Sequence, residues 1–225
     1  MTHVDSKDPY VRITLVCDKI LTKGRFTRVC DYERRITSDD LNEYRKLLDA
    51  EQRERAIHRF LATRLHLVVN TESAHGCRWI KSNPSLGGER NPDFMIARRD
   101  SDGLRWSLYE LQNVMTPLFL VNGQPSQELR EGLHQISQWR GWLSRWGSHA
   151  AENHGYPGLA NDFRAVVLIG RSADRQHDLA GDERIKDLQL EHRVEIRSYD
   201  SVFRAALWAV HGCGIDHVLK RQIPW

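Results

Sequence analysis

The run Arg164–Gly170, RAVVLIG, sets the tightest limit on the fold. Its five consecutive apolar residues lack the alternation of a half-exposed strand and the length of a core helix, so they read as a buried central strand. A strand buried on both faces needs cover on both, and the neighbouring segments supply it. Ser126 to Trp146 reads as a helix introduced by Pro125 and stopped by Gly147. VEIRSYD (194–200) reads as a further strand, and SVFRAALWAVHG as a helix after it. The order helix, strands, helix, strand, strand, helix predicts an α/β fold, a mixed sheet flanked by helices.

Upstream, Leu41, Tyr44, Leu47, Leu48, Ala56, Ile57, Phe60, Leu61 and Leu65 recur at helical spacing. With Ser38 as N-cap, they form one long helix or two in sequence. Residues 10–36 look different: YVRITLVC and GRFTRVCDYERRI are short β-like runs with a turn at Lys23-Gly24. They predict a small N-terminal β module over 1–36, ahead of the main domain over 37–225. A short strand is expected at Cys77 to Lys81, followed by the turn-rich NPSLGGERNP. The segments 147–162 and 172–190 are loop-like, the second with room for a helix.

A 225-residue chain with 40% hydrophobic and 28% charged residues fits one sizeable globular domain. No apolar run reaches the roughly 18 residues of a membrane helix, and MTHVDSKDPYV has no signal-peptide pattern. The four cysteines are scattered without a C-x-x-C pair, which predicts reduced thiols and a cytoplasmic protein. Net charge is only +3, yet just seven of the 33 basic residues are lysine. Arginine suits bidentate phosphate contacts; a GC-rich genome gives the same bias.

The chemistry concentrates in NPDFMIARRDSDGLRWSLYELQN, Asn91 to Asn113, where two apolar runs flank a turn at DSDG. Period-two alternation puts Glu110 and Gln112 on one face of the second strand. A two-residue loop pairs Asp100 with Gly103, and a four-residue loop pairs Arg99 with Leu104. Either register sets Asp93 directly opposite Glu110, with Cβ atoms roughly 5 Å apart. Two like charges across a ladder are destabilising unless a cation lies between them, and Mg²⁺ takes one or two carboxylates with waters and phosphate oxygens. The plainer alternative makes Asp93 a turn residue and Glu110 a solvated strand end.

These residues carry a resemblance. P-D-x₁₆-E-x-Q is similar to the PD-(D/E)XK nuclease signature, with Gln112 at the lysine position. GGERNPDFMIA, SLYELQN, LFLVNGQPSQELREGLHQISQWRGWL, AVVLIGR and VEIRSYDSVFRAAL together resemble the catalytic domain of the Shedu (SduA) anti-phage nucleases, over roughly residues 50–208. The resemblance implies a restriction-endonuclease-like core, Mg²⁺- or Mn²⁺-dependent cutting or nicking of DNA, and a homo-oligomer; the small N-terminal β extension falls outside it, and the lack of a long apolar run predicts no membrane association. It implies that Asp93, Glu110 and the main-chain carbonyl of Leu111 hold the metal, with Glu54 as a helix acid in or near the metal shell. Glu54 also fits a plain exposed helix charge. Gln135, in HQISQW, is implied to face the active site, although a glutamine at a core edge fits the pattern too. Gln112 either leaves water activation to the metal or marks a crippled enzyme, which keeps a catalytically weakened nucleic-acid-binding or regulatory module as the alternative. Arg140 and Arg171 are candidate DNA contacts, against the usual solvated arginine.

Other chemistries have less support. HGCGIDH (211–217) offers His211, Cys213, Asp216 and His217, but at no zinc-module spacing. There is no G-x-S-x-G elbow and no P-loop.

Overall fold

A computed structural model describes residues 9–30, 36–50, 54–72, 76–87, 91–101, 103–172 and 179–211. Six strands form one sheet in chain order: β1 (Thr27–Cys30), β2 (Cys77–Ser82), β3 (Phe94–Asp100), β4 (Gly103–Leu111), β5 (Arg164–Leu168) and β6 (Val194–Arg197). The first four run antiparallel to their neighbours, whereas β4, β5 and β6 are mutually parallel. The sheet is therefore mixed, and helices cover both faces, as the apolar run at β5 demands.

Alternation divides the core in two. Met95, Ala97, Leu108 and Val167 face a layer built from α5 (Gln127–Asn153) and α6 (Leu179–His192). Phe94, Ile96, Tyr109 and Val166 face the other way, onto α2 (Ser38–Asp49), α3 (Glu54–Thr63), α4 (Leu65–Val69) and α7 (Asp200–His211). Adjacent residues of one strand thus serve opposite cores, the signature of a doubly covered sheet.

The N-terminal expectation needs correction. Pro9–Lys23 is a helix, α1, not the first strand of a pair. Proline suits a first helical turn, and Cys17 and Leu21, four apart, both meet the α5-side core. Only the second run supplies a strand, β1, which extends the main sheet by pairing with β2. Of the two readings for the helical stretch from Ser38, the structure has two helices in sequence, α2 and α3, followed by the short α4, and the first cap lies one residue earlier than expected. Thr37 accepts from Asp40 N–H, and the Asp40 carboxylate accepts from Thr37 N–H in return. Gly147 does break α5, with φ 74°, but the helix resumes beyond it to Asn153. The loop-like 172–190 stretch contains α6.

The cysteine expectation also fails for one pair. β1 lies on β2 with Cys30 opposite Cys77, and the two form a disulfide across 47 residues of sequence. Sequence spacing hid this because only the strand register brings them together. Cys17 is free, and Cys213 with the rest of the 212–217 motif lies outside the described residues. Among the described residues no helix is long and apolar enough to cross a membrane.

Candidate active site

The site sits where the β3–β4 ladder ends. The hairpin register is the one expected from its turn, from Asp100 opposite Gly103 to Phe94 opposite Tyr109, and Asp93 and Glu110 lie just beyond the last pair. Asp93 finishes the ladder with its side chain. Its N–H donates to the Tyr109 carbonyl (3.0 Å), its carbonyl accepts from Asn83 N–H (2.9 Å), and its Oδ2 accepts from Leu111 N–H (2.7 Å).

Glu110 is buried at 6% exposure and lies between two glutamines. Gln112 Nε2 donates to its Oε1 (3.2 Å) and Gln135 Nε2 to its Oε2 (2.7 Å). Gln112 follows by strand alternation and Gln135 projects from α5. The approach of α5 depends on Gly132: a Cβ there would lie 3.1 Å from Val167 Cγ1 and 3.3 Å from Gln112 Cγ. Even an alanine there would require Val167 or Gln112 to give by a few tenths of an ångström.

The acids repel one another in a dry setting. Burial raises the Glu110 carboxyl to about 9, with Asp93 and then Glu54 adding to the rise against the two glutamine hydrogen bonds. Burial likewise raises Asp93 to about 6, opposed by the Leu111 N–H. Glu54, on α3, is raised by burial and by Asp93. Without a cation, the pair favours a singly protonated form near neutrality, with the proton on Glu110.

Two residues join the site without having been foreseen. His58, one helical turn after Glu54, places Nε2 3.5 Å from Asp93 Oδ1, and burial lowers its pKa. The i,i+4 spacing of Glu54 and His58 was a usable signal, since it puts both on one face of α3. Tyr199 is fully buried and donates from its hydroxyl to the Gln112 carbonyl (2.7 Å), while Gln112 N–H donates to Leu168 (2.8 Å). These two bonds fix the Gln112 backbone, and no local sequence feature links positions 87 residues apart.

Among the described residues no three His, Cys, Asp or Glu side chains form a ready metal cage. The donor chemistry still suits a hard cation, because Mg²⁺ needs only one or two carboxylates and completes its shell with other oxygens. Asp93 and Glu110 present two carboxylates of that kind.

Residues 51–203 match the profile of the family described as Shedu protein SduA, C-terminal. The chain belongs to this family. Every residue of the site, from Glu54 to Tyr199, falls inside the Shedu match, whereas α1, β1 and α2 precede it. Two solved structures of restriction endonuclease FokI are similar to the chain, each with a TM-score of 0.44. The one bound to DNA is 11% identical over 97% of this chain and 33% of its own. The other is 12% identical over 80% of this chain and 30% of its own. The chain thus spans about a third of each of these neighbours. No curated protein matches it in sequence.

The remaining sequence candidates lie apart from the acids of the Shedu domain. Arg140 donates to the carbonyls of Asn161 (2.6 Å) and Arg193 (2.9 Å), with its guanidinium over the Phe163 ring. Arg171 is ion-paired with Asp200 (3.0 Å) and Asp49 (3.3 Å). Both guanidiniums therefore tie secondary-structure elements together.

Proposed function

We propose that this Shedu-family chain is a divalent-metal-dependent DNA endonuclease, cutting or nicking phosphodiester bonds in anti-phage defence. The observation that carries this reading is the pair of mutually repelling carboxylates, half-buried Asp93 and buried Glu110, at the end of one ladder. A structural role gives no reason to place two like charges there, whereas a cation site does. Asp93 and Glu110 would hold Mg²⁺ or Mn²⁺ with the main-chain carbonyl of Leu111, and Glu54 stands as a further acid beside them. An extended residue directs its N–H and C=O towards the same neighbour. The Leu111 N–H bond to Asp93 therefore also turns the Leu111 carbonyl to the Asp93 side.

An ion held there would lower the pKa of a water and neutralise charge on the scissile phosphate. The protein groups have narrower duties. Gln135 and Gln112 each hold one oxygen of Glu110, fixing the carboxylate plane. Hydrolysis adds a water oxygen to phosphorus and leaves an alkoxide that needs a proton. Gln112, a neutral amide, can orient the water but cannot take or give that proton.

The alternative is a weakened nuclease fold that binds nucleic acid or regulates a partner, and Gln112 is the observation that favours it. Supercoiled plasmid separates the two. The proposal expects relaxation or linearisation with Mg²⁺ or Mn²⁺, none in chelator, and a loss of at least about 10³-fold in Asp93→Ala. Undiminished cutting by Asp93→Ala contradicts it. An inert wild type that gains cutting as Gln112→Lys supports the weakened fold instead.

A further inference from the structure

β4 outruns β5. Because β5 begins at Arg164, opposite Ser107, the stretch Gly103–Trp106 has β3 on one side and no strand on the other. The segment from Pro157 to Asp162 lies beside that opening, with the Trp106 indole N–H donating to the Pro157 carbonyl (3.0 Å). Between them is a cavity of about 260 Å³, whose lining includes Arg98, Arg105, Trp106, Ser107, Asp162 and Arg164.

The charge pattern around this notch mirrors that of the acids. Arg78, Arg98 and Arg105 stand directly opposite one another across β2, β3 and β4. Like charges in register cost stability unless opposite charge answers them. Acids answer two of the cavity arginines. Arg105 pairs with Asp100 (3.0 Å) and Asp162 (3.5 Å), and Arg164 pairs with Glu72 and Glu195 (2.5 Å each). Arg98 has no acid within the 4.0 Å limit of an ion pair among the described residues. A half-buried guanidinium thus faces a cavity from the middle of an arginine row, with its charge answered by no acid among the described residues.

We infer that this cavity binds a phosphate group, of a nucleic-acid strand or a free nucleotide, with Arg98 as its principal contact. A guanidinium matches phosphate with two parallel N–H···O bonds. The volume lies just below the roughly 300–1,000 Å³ of pockets for drug-sized ligands, room for a phosphate group with part of the nucleotide that carries it. Arg105 is five residues from Glu110 along β4, about 17 Å at strand rise. The site is therefore separate from the acids and stands whether or not they cut DNA.

Titration calorimetry with inorganic phosphate, a nucleoside monophosphate and a short single-stranded oligonucleotide tests it, with all variants built on Asp93→Ala to exclude cleavage. At least one probe should bind, and Arg98→Glu should weaken it by about tenfold or more. Arg98→Glu also places an acid between two arginines, so its Tm should not fall. If it does, Arg98→Gln carries the same comparison. Binding by the small probes identifies a free phosphate or nucleotide as the source; binding by the oligonucleotide alone identifies a strand. No binding by any probe, or binding by the Arg98 variants as tight as that of the Asp93→Ala parent, overturns the inference.

Discussion

Glu110→Gln should melt higher than the wild-type protein in metal-free buffer at pH 8, while cutting DNA at least about 10³-fold more slowly. Both effects come from one carboxyl. Its folded pKa is raised to about 9 by burial and by Asp93. The protonated form therefore stabilises the fold fully below the unfolded value, and that contribution is lost as pH rises towards 9. Asp93 behaves alike over a lower window, ending near 6. Glutamine keeps the shape, can hydrogen-bond to Gln112 and Gln135, and never ionises. Even 1 kcal/mol of relief is worth roughly 2–4 °C in a chain this size. Mg²⁺ should narrow the gap by raising the wild type alone. Differential scanning calorimetry in chelator and in Mg²⁺ reads the first effect and plasmid nicking the second. A lower melting point for Glu110→Gln in chelator, or retained nicking, would contradict the account.

The second large effect is structural. Glu72→Ala should destabilise the protein by about 3 kcal/mol or more, a fall in Tm of at least roughly 6–12 °C. Glu72 is 5% exposed and accepts from three donors: Tyr109 (2.6 Å), Ser107 (3.1 Å) and Arg164 (2.5 Å). Removing it leaves the buried Ser107 hydroxyl without this acceptor and the Tyr109 hydroxyl with only the Thr71 hydroxyl to accept from it (2.8 Å), and it weakens the anchoring of Arg164, which heads β5. Glu195 is a built-in control. It binds the same arginine with both oxygens, but its side chain is 37% exposed. Glu195→Ala should therefore cost about 1 kcal/mol or less. Equal losses from the two substitutions, read by thermal or urea unfolding, would remove the distinction between buried and exposed partners.

The comparison of sequence with structure follows the range of the interactions. The β3–β4 register was legible because turn length and alternation act locally, and both registers weighed gave the observed pairing. β5 was legible because a run that is apolar on both faces has few places to go. α1 was misread because its first half, Val11 to Val16, is rich in β-branched residues, whose strand preference gave way to tertiary packing by Cys17 and Leu21. The Cys30–Cys77 bridge and the Tyr199–Gln112 bond join segments 47 and 87 residues apart, and a single sequence carries no trace of such pairings. Of the candidate residues, the structure brings Asp93, Glu110, Gln112, Gln135 and Glu54 into one neighbourhood. It engages Arg140 and Arg171 in contacts elsewhere.

The central claim is that Asp93 and Glu110 act together as one cation site held protonated until the cation arrives. Calorimetric titration of Mn²⁺ at pH 7, repeated in buffers of different ionisation enthalpy, measures this directly, because it counts ions bound and protons released. The account predicts saturable binding with release of about one proton per ion, and loss of both signals in Asp93→Ala and Glu110→Gln. Binding without proton release, or binding of equal affinity in those variants, would contradict it.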